Sequence, residues 1–365
     1  MPLHLARRFA PLHPARFPYA RFGLTLLLGL GAGALFQALR IPLPWMLGPM
    51  CACVLAILVD APVAAPAVVR PPMTAMIGVM LGANFTPELI THIPQMASTL
   101  LLQIGLLVIL SIVGVAYYRK VAGLDPLTAY YAGMPGGMME MSMIAEEQGG
   151  DGQAVILIHS ARILIIVMTV PFIVQAIEGI TLGPRVASRL SVADAPWTTF
   201  AWIIGLGFVG VVLGRLLRLP ARNLFGPMLL SIAVHGSGLT DFVMPKEVVI
   251  AAQILLGCTT GCRFLGYEKR AILRILGMTA GATLLLLAIT VAYCWLLGRF
   301  TSLPMSLGLL GLAPAGIAEM SLIAIALNFD VAFVIVHQLA RIAMIATLAA
   351  FVFRLIGGKP KDGAG

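Results

Sequence analysis

Charged residues are scarce in this chain. Only 11% of its residues are Asp, Glu, Lys or Arg, whereas a soluble domain carries about 25%. Hydrophobic residues make up 60% of the chain, and the mean hydropathy is +0.99. This composition excludes a separate soluble domain of ordinary polarity. The repeated apolar runs, each of roughly 17 residues or more, instead predict helices that cross a membrane.

Patterns for metal or nucleotide chemistry are also missing. The 6 His residues form no H-x-H or H-E-x-x-H motif, and there is neither a Walker A sequence nor a glycine-rich dinucleotide fingerprint. The 5 Cys residues lie in or beside apolar segments, where small buried side chains are a simpler interpretation than disulfides or metal ligands. We therefore expect no enzyme activity, no metal site and no cofactor.

The net charge of +9 does not indicate a nucleic-acid-binding face. Basic residues concentrate in arms and loops, as at Arg7, Arg8, Arg16 and Arg21 ahead of the first apolar run. The positive-inside rule of membrane proteins explains this pattern better. The expected partners are the lipid bilayer and a small solute, without direct nucleic-acid contact, and a homodimer is left open.

One motif occurs twice, at an offset of 179 positions. Residues 134–162 align with 313–341, and 12 of these 29 positions are identical, against a chance level of roughly one in twelve to fifteen. A second pair, residues 40–50 and 218–228, matches at an offset of 178 and holds Gly48-Pro49 and Gly226-Pro227. These Gly-Pro pairs indicate either discontinuous transporter helices or plain proline kinks.

The chain is predicted to be an all-α polytopic membrane protein with two homologous halves, broken helices and about 10–12 transmembrane segments. The division is a basic arm (1–21), a first repeat (22–177), a linker (178–198), a second repeat (199–356) and a tail (357–365). Residues 86–97 contain no Lys or Arg, whereas the equivalent loop has four between 263 and 274. That asymmetry favours inverted repeats. Six crossings per half would make the repeats parallel, unless one segment is re-entrant or the linker crosses.

The duplicated motif carries ionisable residues inside apolar segments, which is a functional-site hypothesis by default. Each copy predicts a helical hairpin with one Glu and one Arg about 15–18 Å from the turn, near the middle of a roughly 30 Å hydrocarbon core. We therefore predict contacts of Glu140 with Arg162 and of Glu319 with Arg341. The alternative is that these pairs only lock the hairpins together.

The two copies differ beside the arginine. His159 lies three residues before Arg162, on the same helix face, whereas Gln338 occupies the matching place and His337 should point elsewhere. A histidine can titrate near neutral pH and a glutamine cannot. We therefore predict that the first half carries a proton-sensitive step, unless His159 is a satisfied core histidine.

Proline and glycine precede each Glu and are expected to break the helix at 134–137 and 313–316, close together at the bilayer centre. A half-helix that begins there presents N–H groups and a positive dipole end to an anion. The candidate solute- or ion-binding residues are Pro135, Gly136, Gly137, Glu140, Ser142, His159 and Arg162 in the first copy, and Pro314, Gly316, Glu319, Ser321, Gln338 and Arg341 in the second.

These motifs resemble the AbrB-like membrane protein family, which has two copies of an AbrB duplication unit. The matching marks are Leu47-Gly-Pro-Met50, Phe225-Gly-Pro-Met228, Pro-Gly-Gly-x-x-Glu-Met-Ser at 135–142, its echo at 314–321, and the two terminal arginines. Family members are labelled as regulators of gene expression and, in older descriptions, as ammonia monooxygenases. The family is distantly similar to antiporters and anion transporters with inverted repeats.

The resemblance implies a secondary transporter. With the half-helix motifs, we expect it to carry a small anionic or zwitterionic solute across the inner membrane of a bacterial-type cell. The alternatives are a membrane-embedded sensor that alters gene expression indirectly, and a channel or structural membrane protein. Neither family label is supported by these residues, because the chain lacks redox-metal ligands and a soluble DNA-reading module.

Overall fold

The structure is a computed structural model that describes residues 17–85, 96–179, 190–219, 221–301 and 303–355. Within those ranges it contains α-helices and short turns, and no strand. Six helices in the described part of the chain are long and apolar enough to cross a membrane, which confirms the prediction of an all-α polytopic membrane protein. The predicted tail, most of the predicted arm and part of the predicted linker lie outside the described residues.

Seven helices of the described chain belong to the predicted first repeat. They are α1 (Tyr19–Ala38), α2 (Pro44–Leu58), α3 (Arg70–Gly82), α4 (Ala97–Lys120), α5 (Pro126–Gly133), α6 (Met138–Glu147) and α7 (Gly152–Glu178). Seven counterparts follow in the same order: α8 (Trp197–Leu216), α9 (Arg222–Gly236), α10 (Lys246–Gly261), α11 (Lys269–Phe300), α12 (Met305–Leu312), α13 (Ile317–Leu327) and α14 (Val331–Leu355). The internal repeat of the sequence is therefore matched by a repeated order of helices.

The repeats do not form separate compact units. The first unit contains α1–α3 and α8–α10, and the second unit contains α4–α7 and α11–α14. Each unit thus combines one part of the first repeat with the equivalent part of the second. The repeat boundaries at 22–177 and 199–356 stay a prediction about sequence units.

Reciprocal contacts relate the two copies within the first unit. A side chain at Gly78 would overlap the carbonyl oxygen of Leu224, and one at Gly257 would overlap that of Met46, the equivalent pair. The absence of a Cβ atom lets α3 pack closely on α9, and α10 on α2. A residue of the first copy thus contacts the second copy in the same way as its equivalent in the second copy contacts the first. Such an exchange of contacts is expected of a pseudo-two-fold arrangement.

The Gly-Pro pairs do not interrupt their helices. Pro49 lies inside α2 and Pro227 lies inside α9. The glycines instead permit close crossings, because a Cβ on Gly48 would lie 2.6 Å from the carbonyl oxygen of Ala32, and one on Gly226 would overlap that of Gly210. Of the two interpretations, the structure supports proline within a continuous helix.

Long apolar side chains cover the outer faces of α1, α4 and α8. Leu27 is 68% exposed, Leu101 69% and Phe208 73%. Large apolar side chains this exposed on several long helices are typical of surfaces that contact lipid tails.

Inversion of the repeats is testable with single cysteines. Val121 and Phe300 are equivalent exposed residues, just after α4 and at the end of α11. We expect Val121→Cys and Phe300→Cys to react with a membrane-impermeant maleimide from opposite sides of the membrane. Background labelling should be low, because four of the native cysteines are buried and Cys51 is partly buried. Labelling of both from one side would establish parallel repeats.

Candidate functional site

Both predicted breaks are present. Helix α5 ends at Gly133 and α6 begins at Met138, whereas α12 ends at Leu312 and α13 begins at Ile317. The gaps are therefore 134–137 and 313–316, as predicted. Proline in each gap lacks an N–H donor, and the glycine that precedes each second half-helix has extended backbone angles.

The helices that flank the two breaks are α5, α6, α12 and α13. All four of these half-helices contact α7 in the second unit. In addition, a Cβ on Gly136 would lie 2.8 Å from Cγ2 of Ile345 on α14. The long helix of each repeat thus lines the break of the other repeat, and both breaks share one region of this unit. Their depth in the bilayer stays a prediction.

Polar contacts fix the first hairpin around its break. Asp125 caps α5 by accepting hydrogen bonds from the N–H groups of Leu127 (3.1 Å) and Thr128 (3.0 Å). Burial alone would raise the pKa of Asp125, but its hydrogen bonds outweigh burial and hold that pKa below its usual value. The hydroxyl of Ser142 donates to the carbonyl of Gly152 at 2.9 Å and joins α6 to α7. Ser142 is therefore a structural contact in this conformation.

The two buried arginines bind backbone carbonyls at the breaks. Arg162 donates from Nη1 to the carbonyl of Met134 at 3.0 Å, and from Nη2 to that of Ala132. Arg341 donates from Nη2 to the carbonyl of Ala315. The carbonyls of Ala132 and Met134 are at the C-terminal end of α5, where the helix dipole is negative and carbonyls lack helical partners. Arg162 therefore compensates the end of a half-helix.

The two glutamates lie over the N-termini of the following half-helices. An ideal Cβ on Gly137 would overlap a carboxylate oxygen of Glu140, and one on Gly316 would overlap that of Glu319. Each Glu is in the first turn of its helix, where a negative charge is favourable. Glu319 is buried, and Glu140 is half-buried.

The predicted Glu–Arg ion pairs are therefore not formed in this conformation. None of these four side chains forms an ion pair within 4.0 Å among the described residues, whereas Lys246 and Glu247 of the other compact unit do so at 3.8 Å. Helix spacing predicts that each Glu and Arg lies near one break, but the break also exposes backbone carbonyls and N–H groups that compete for these side chains. At the first break, Arg162 binds carbonyls at the negative end of α5, and Glu140 lies over the positive end of α6. At the second break, Arg341 binds a carbonyl inside the break, and Glu319 lies over the start of α13.

His159 and Gln338 make equivalent contacts. Nε2 of His159 donates to the carbonyl of Tyr131 at 3.1 Å, and Nε2 of Gln338 donates to that of Leu310, the matching residue, at 3.0 Å. Gln338 also donates to the carbonyl of Ala313 at 3.0 Å. His159 is 3% exposed. A second positive charge on its ring would lie near Arg162 with no carboxylate among its described contacts, which favours the core-histidine alternative.

We accordingly expect His159→Gln to fold with wild-type stability, because an amide satisfies the same carbonyl in the second copy. His159→Leu should destabilise the protein by about 1–3 kcal/mol, since the buried carbonyl of Tyr131 then lacks its donor. Thermal unfolding of both variants in detergent measures this difference. If the pH profile of solute flux is instead flatter in His159→Gln than in wild type, His159 titrates during transport and the core-histidine alternative is wrong.

One buried contact was not anticipated. His337 points to α4, where its Nε2 lies 2.9 Å from Oγ1 of Thr99, and Gln103 donates to its backbone carbonyl at 2.9 Å. The orientation of His337 away from the arginine face agrees with prediction. The sequence signal for this contact is the pair Thr99 and Gln103, which are four positions apart and therefore share one face of the largely apolar helix α4.

Several buried polar atoms in this region have no hydrogen-bond partner among the described residues. They are Nε of Arg162, Nε of Arg341, Oε1 of Gln338 and Oγ of Ser321. Arg162 and Arg341 are also close enough to interact electrostatically. Two guanidinium groups together with uncommitted donors and acceptors can recognise a small anionic or zwitterionic group.

The breaks, the paired halves and the membrane-type helices define a polytopic membrane protein with internally repeated broken helices. The sequence model of the family described as "Transition state regulatory protein AbrB" matches residues 45–357, so the chain belongs to this family. No solved structure matches it.

Two relatives cover most of the chain. It is 26% identical over 353 residues to a protein of Escherichia coli (strain K12) named "Putative regulator AbrB", covering 93% of this chain and 97% of that one. It is 27% identical over 284 residues to "Uncharacterized protein YhjN" of Bacillus subtilis (strain 168), covering 71% of this chain and 73% of that one.

Proposed function

We propose that this protein is a secondary transporter of a small anionic or zwitterionic solute in the inner membrane. The observation that carries the proposal is the pair of half-helix breaks in one compact unit, each with an Arg on a backbone carbonyl at the break and a Glu over the N-terminus of the following half-helix. Discontinuous helices with oriented backbone ends are the usual ion and solute sites of secondary transporters.

The positions of the glutamates suggest how a proton could be coupled to the solute. In this conformation each carboxylate lies where an anion would bind a helix N-terminus. An incoming anion must therefore displace Glu140 or Glu319. Protonation of a glutamate would remove its attraction to the positive helix end and would favour that exchange. Under this proposal a proton and the anionic solute move together.

Proteoliposome flux tests both parts of the proposal. Radiolabelled small carboxylates, phosphate and amino acids would be screened with and without an inwardly directed proton gradient, with the acidic side outside. We expect wild-type protein to accumulate at least one of them only with the gradient. Glu140→Gln/Glu319→Gln, which resembles the protonated state, should still exchange the solute but lose the response to the gradient. Retention of that response in the double variant would refute the role of the glutamates.

The second candidate is a membrane-embedded sensor with an indirect effect on gene expression. It is favoured by the name of the Escherichia coli relative and by the family description. If no solute moves under any gradient, yet a strain lacking the protein shows an altered transcript profile, the sensor is the better function. The same conclusion would follow if a variant without solute flux returned the transcript profile of that strain to the wild-type profile.

A further inference from the structure

Two cavities of the first unit meet at Pro71. The smaller one, of about 470 Å³, is lined by polar side chains at the starts of α3 and α9, namely Arg70, Thr74, Arg222 and Asn223. The larger one, of about 1000 Å³, is an apolar groove between α3 and α8, and it contains Arg215 near its end. Together they form a continuous surface with a cationic end and an apolar channel.

We propose that this surface binds one anionic glycerophospholipid, with its phosphate between Arg70 and Arg222 and one acyl chain in the groove along α8. The site is separate from the duplicated motif, which belongs to the other compact unit. The proposal does not depend on the transport function.

Charge complementarity identifies the head group as anionic. Arg70 and Arg222 line one small cavity, and neither forms an ion pair with any described residue. A phosphodiester supplies the missing negative charge, and guanidinium groups bind phosphate oxygens through two parallel hydrogen bonds. Asn223 also lines this cavity, and its buried Oδ1 has no hydrogen-bond partner among the described residues. A rotation of this side chain would let Oδ1 accept from a glycerol or head-group hydroxyl.

The groove has the dimensions and polarity of an acyl-chain site. Its α8 wall runs from Ile203 to Leu216, which corresponds to about 20 Å at 1.5 Å per residue. One leaflet of the hydrocarbon core is roughly 15 Å deep. Ile204 and Phe208 are 71% and 73% exposed along this wall, and Gly207 between them leaves space for a chain.

The arginines are not required by the fold. Helix α2 begins after Leu43 (φ 49°) just as α9 begins after Ala221 (φ 42°), so both copies share this unusual backbone. The equivalents of Arg222, Arg70 and Arg215 are nevertheless Pro44, Val249 and Gln37. The positive-inside rule explains a basic loop on one side, but not the convergence of two arginines on a cavity that continues into an apolar groove.

Thermal unfolding of the full-length protein in detergent tests the head-group contact. Dioleoylphosphatidylglycerol should raise the melting temperature, whereas dioleoylphosphatidylcholine and inorganic phosphate should not. For Arg70→Gln/Arg222→Gln we expect about 30-fold weaker binding of the anionic lipid. Arg270→Gln/Arg274→Gln removes the same charge from an exposed helix start and should leave that binding unchanged.

The groove is tested with a matched glycine pair on α8. A side chain at Gly207 or Gly205 would meet no other atom within 4 Å, but only Gly207 lines the groove. Gly207→Phe should abolish the stabilisation by phosphatidylglycerol, and Gly205→Phe should preserve it. Three results would overturn the proposal: equal stabilisation by both lipids, an equal loss in the Arg270/Arg274 control, or full stabilisation by inorganic phosphate alone.

Discussion

Replacing Arg162 by leucine is expected to lower solute flux by about 100-fold and to destabilise the protein by about 2–6 kcal/mol. Two buried carbonyls, those of Ala132 and Met134, lose a charged donor at once. Each such loss costs about 1–3 kcal/mol. The negative end of α5 also loses its compensating charge, so the geometry of the break should relax.

Thermal unfolding and proteoliposome flux should be measured on the same preparations. Arg341→Leu should be less destabilising, because Arg341 contacts one break carbonyl rather than two. Arg162→Lys should recover part of the stability, since an ammonium group can reach one carbonyl but lacks the planar fork. Arg274→Leu is an exposed control. Wild-type stability in Arg162→Leu would show that this arginine does not hold the break.

Replacing Gly316 by alanine is expected to destabilise the protein by about 1–3 kcal/mol, although the backbone at this residue (φ −79°, ψ 146°) suits alanine. The added methyl group would overlap the carboxylate of Glu319, which is buried and has little room to move. Gly137→Ala should be milder, because the carboxylate of Glu140 is only half-buried.

A double-mutant cycle isolates this contact. Gly316→Ala/Glu319→Ala should be about 0.5–3 kcal/mol more stable than the sum of the two single changes predicts, since the overlap is absent once the carboxylate is removed. Gly311→Ala is a control for the added methyl group alone, because that group would meet the Phe333 ring rather than a carboxylate. Additive effects at Gly316 and Glu319 would place the carboxylate elsewhere.

The breaks at 134–137 and 313–316 could be predicted because their cause is local. Proline cannot donate a backbone hydrogen bond, and glycine beside it weakens a helix in any surroundings. Gly48-Pro49 has the same local signal, yet α2 continues through it. There the glycine is required by the close approach of α1, a contact between helices that the dipeptide itself does not indicate.

The predicted ion pairs show a second limit. Helix geometry correctly placed Glu140 and Arg162 in one hairpin with its turn near residue 150. It did not reveal their partners, because the backbone groups that hold them become available only where α5 ends and α6 begins. The equal spacing of the charges in the two copies therefore predicts the hairpin in which they lie, but not the atoms that they contact.

The amino-acid sequence by itself determined the membrane class, the order of the helices, the duplication and the two breaks, since each follows from hydropathy, residue type or spacing along the chain. Tertiary structure decided that helices of both repeats combine within each compact unit, and which backbone atoms hold the buried charges. These are contacts between segments distant in sequence. A helix end attracts an Arg or a Glu by its exposed carbonyl or N–H groups, and such groups have no signature of their own in the residue string.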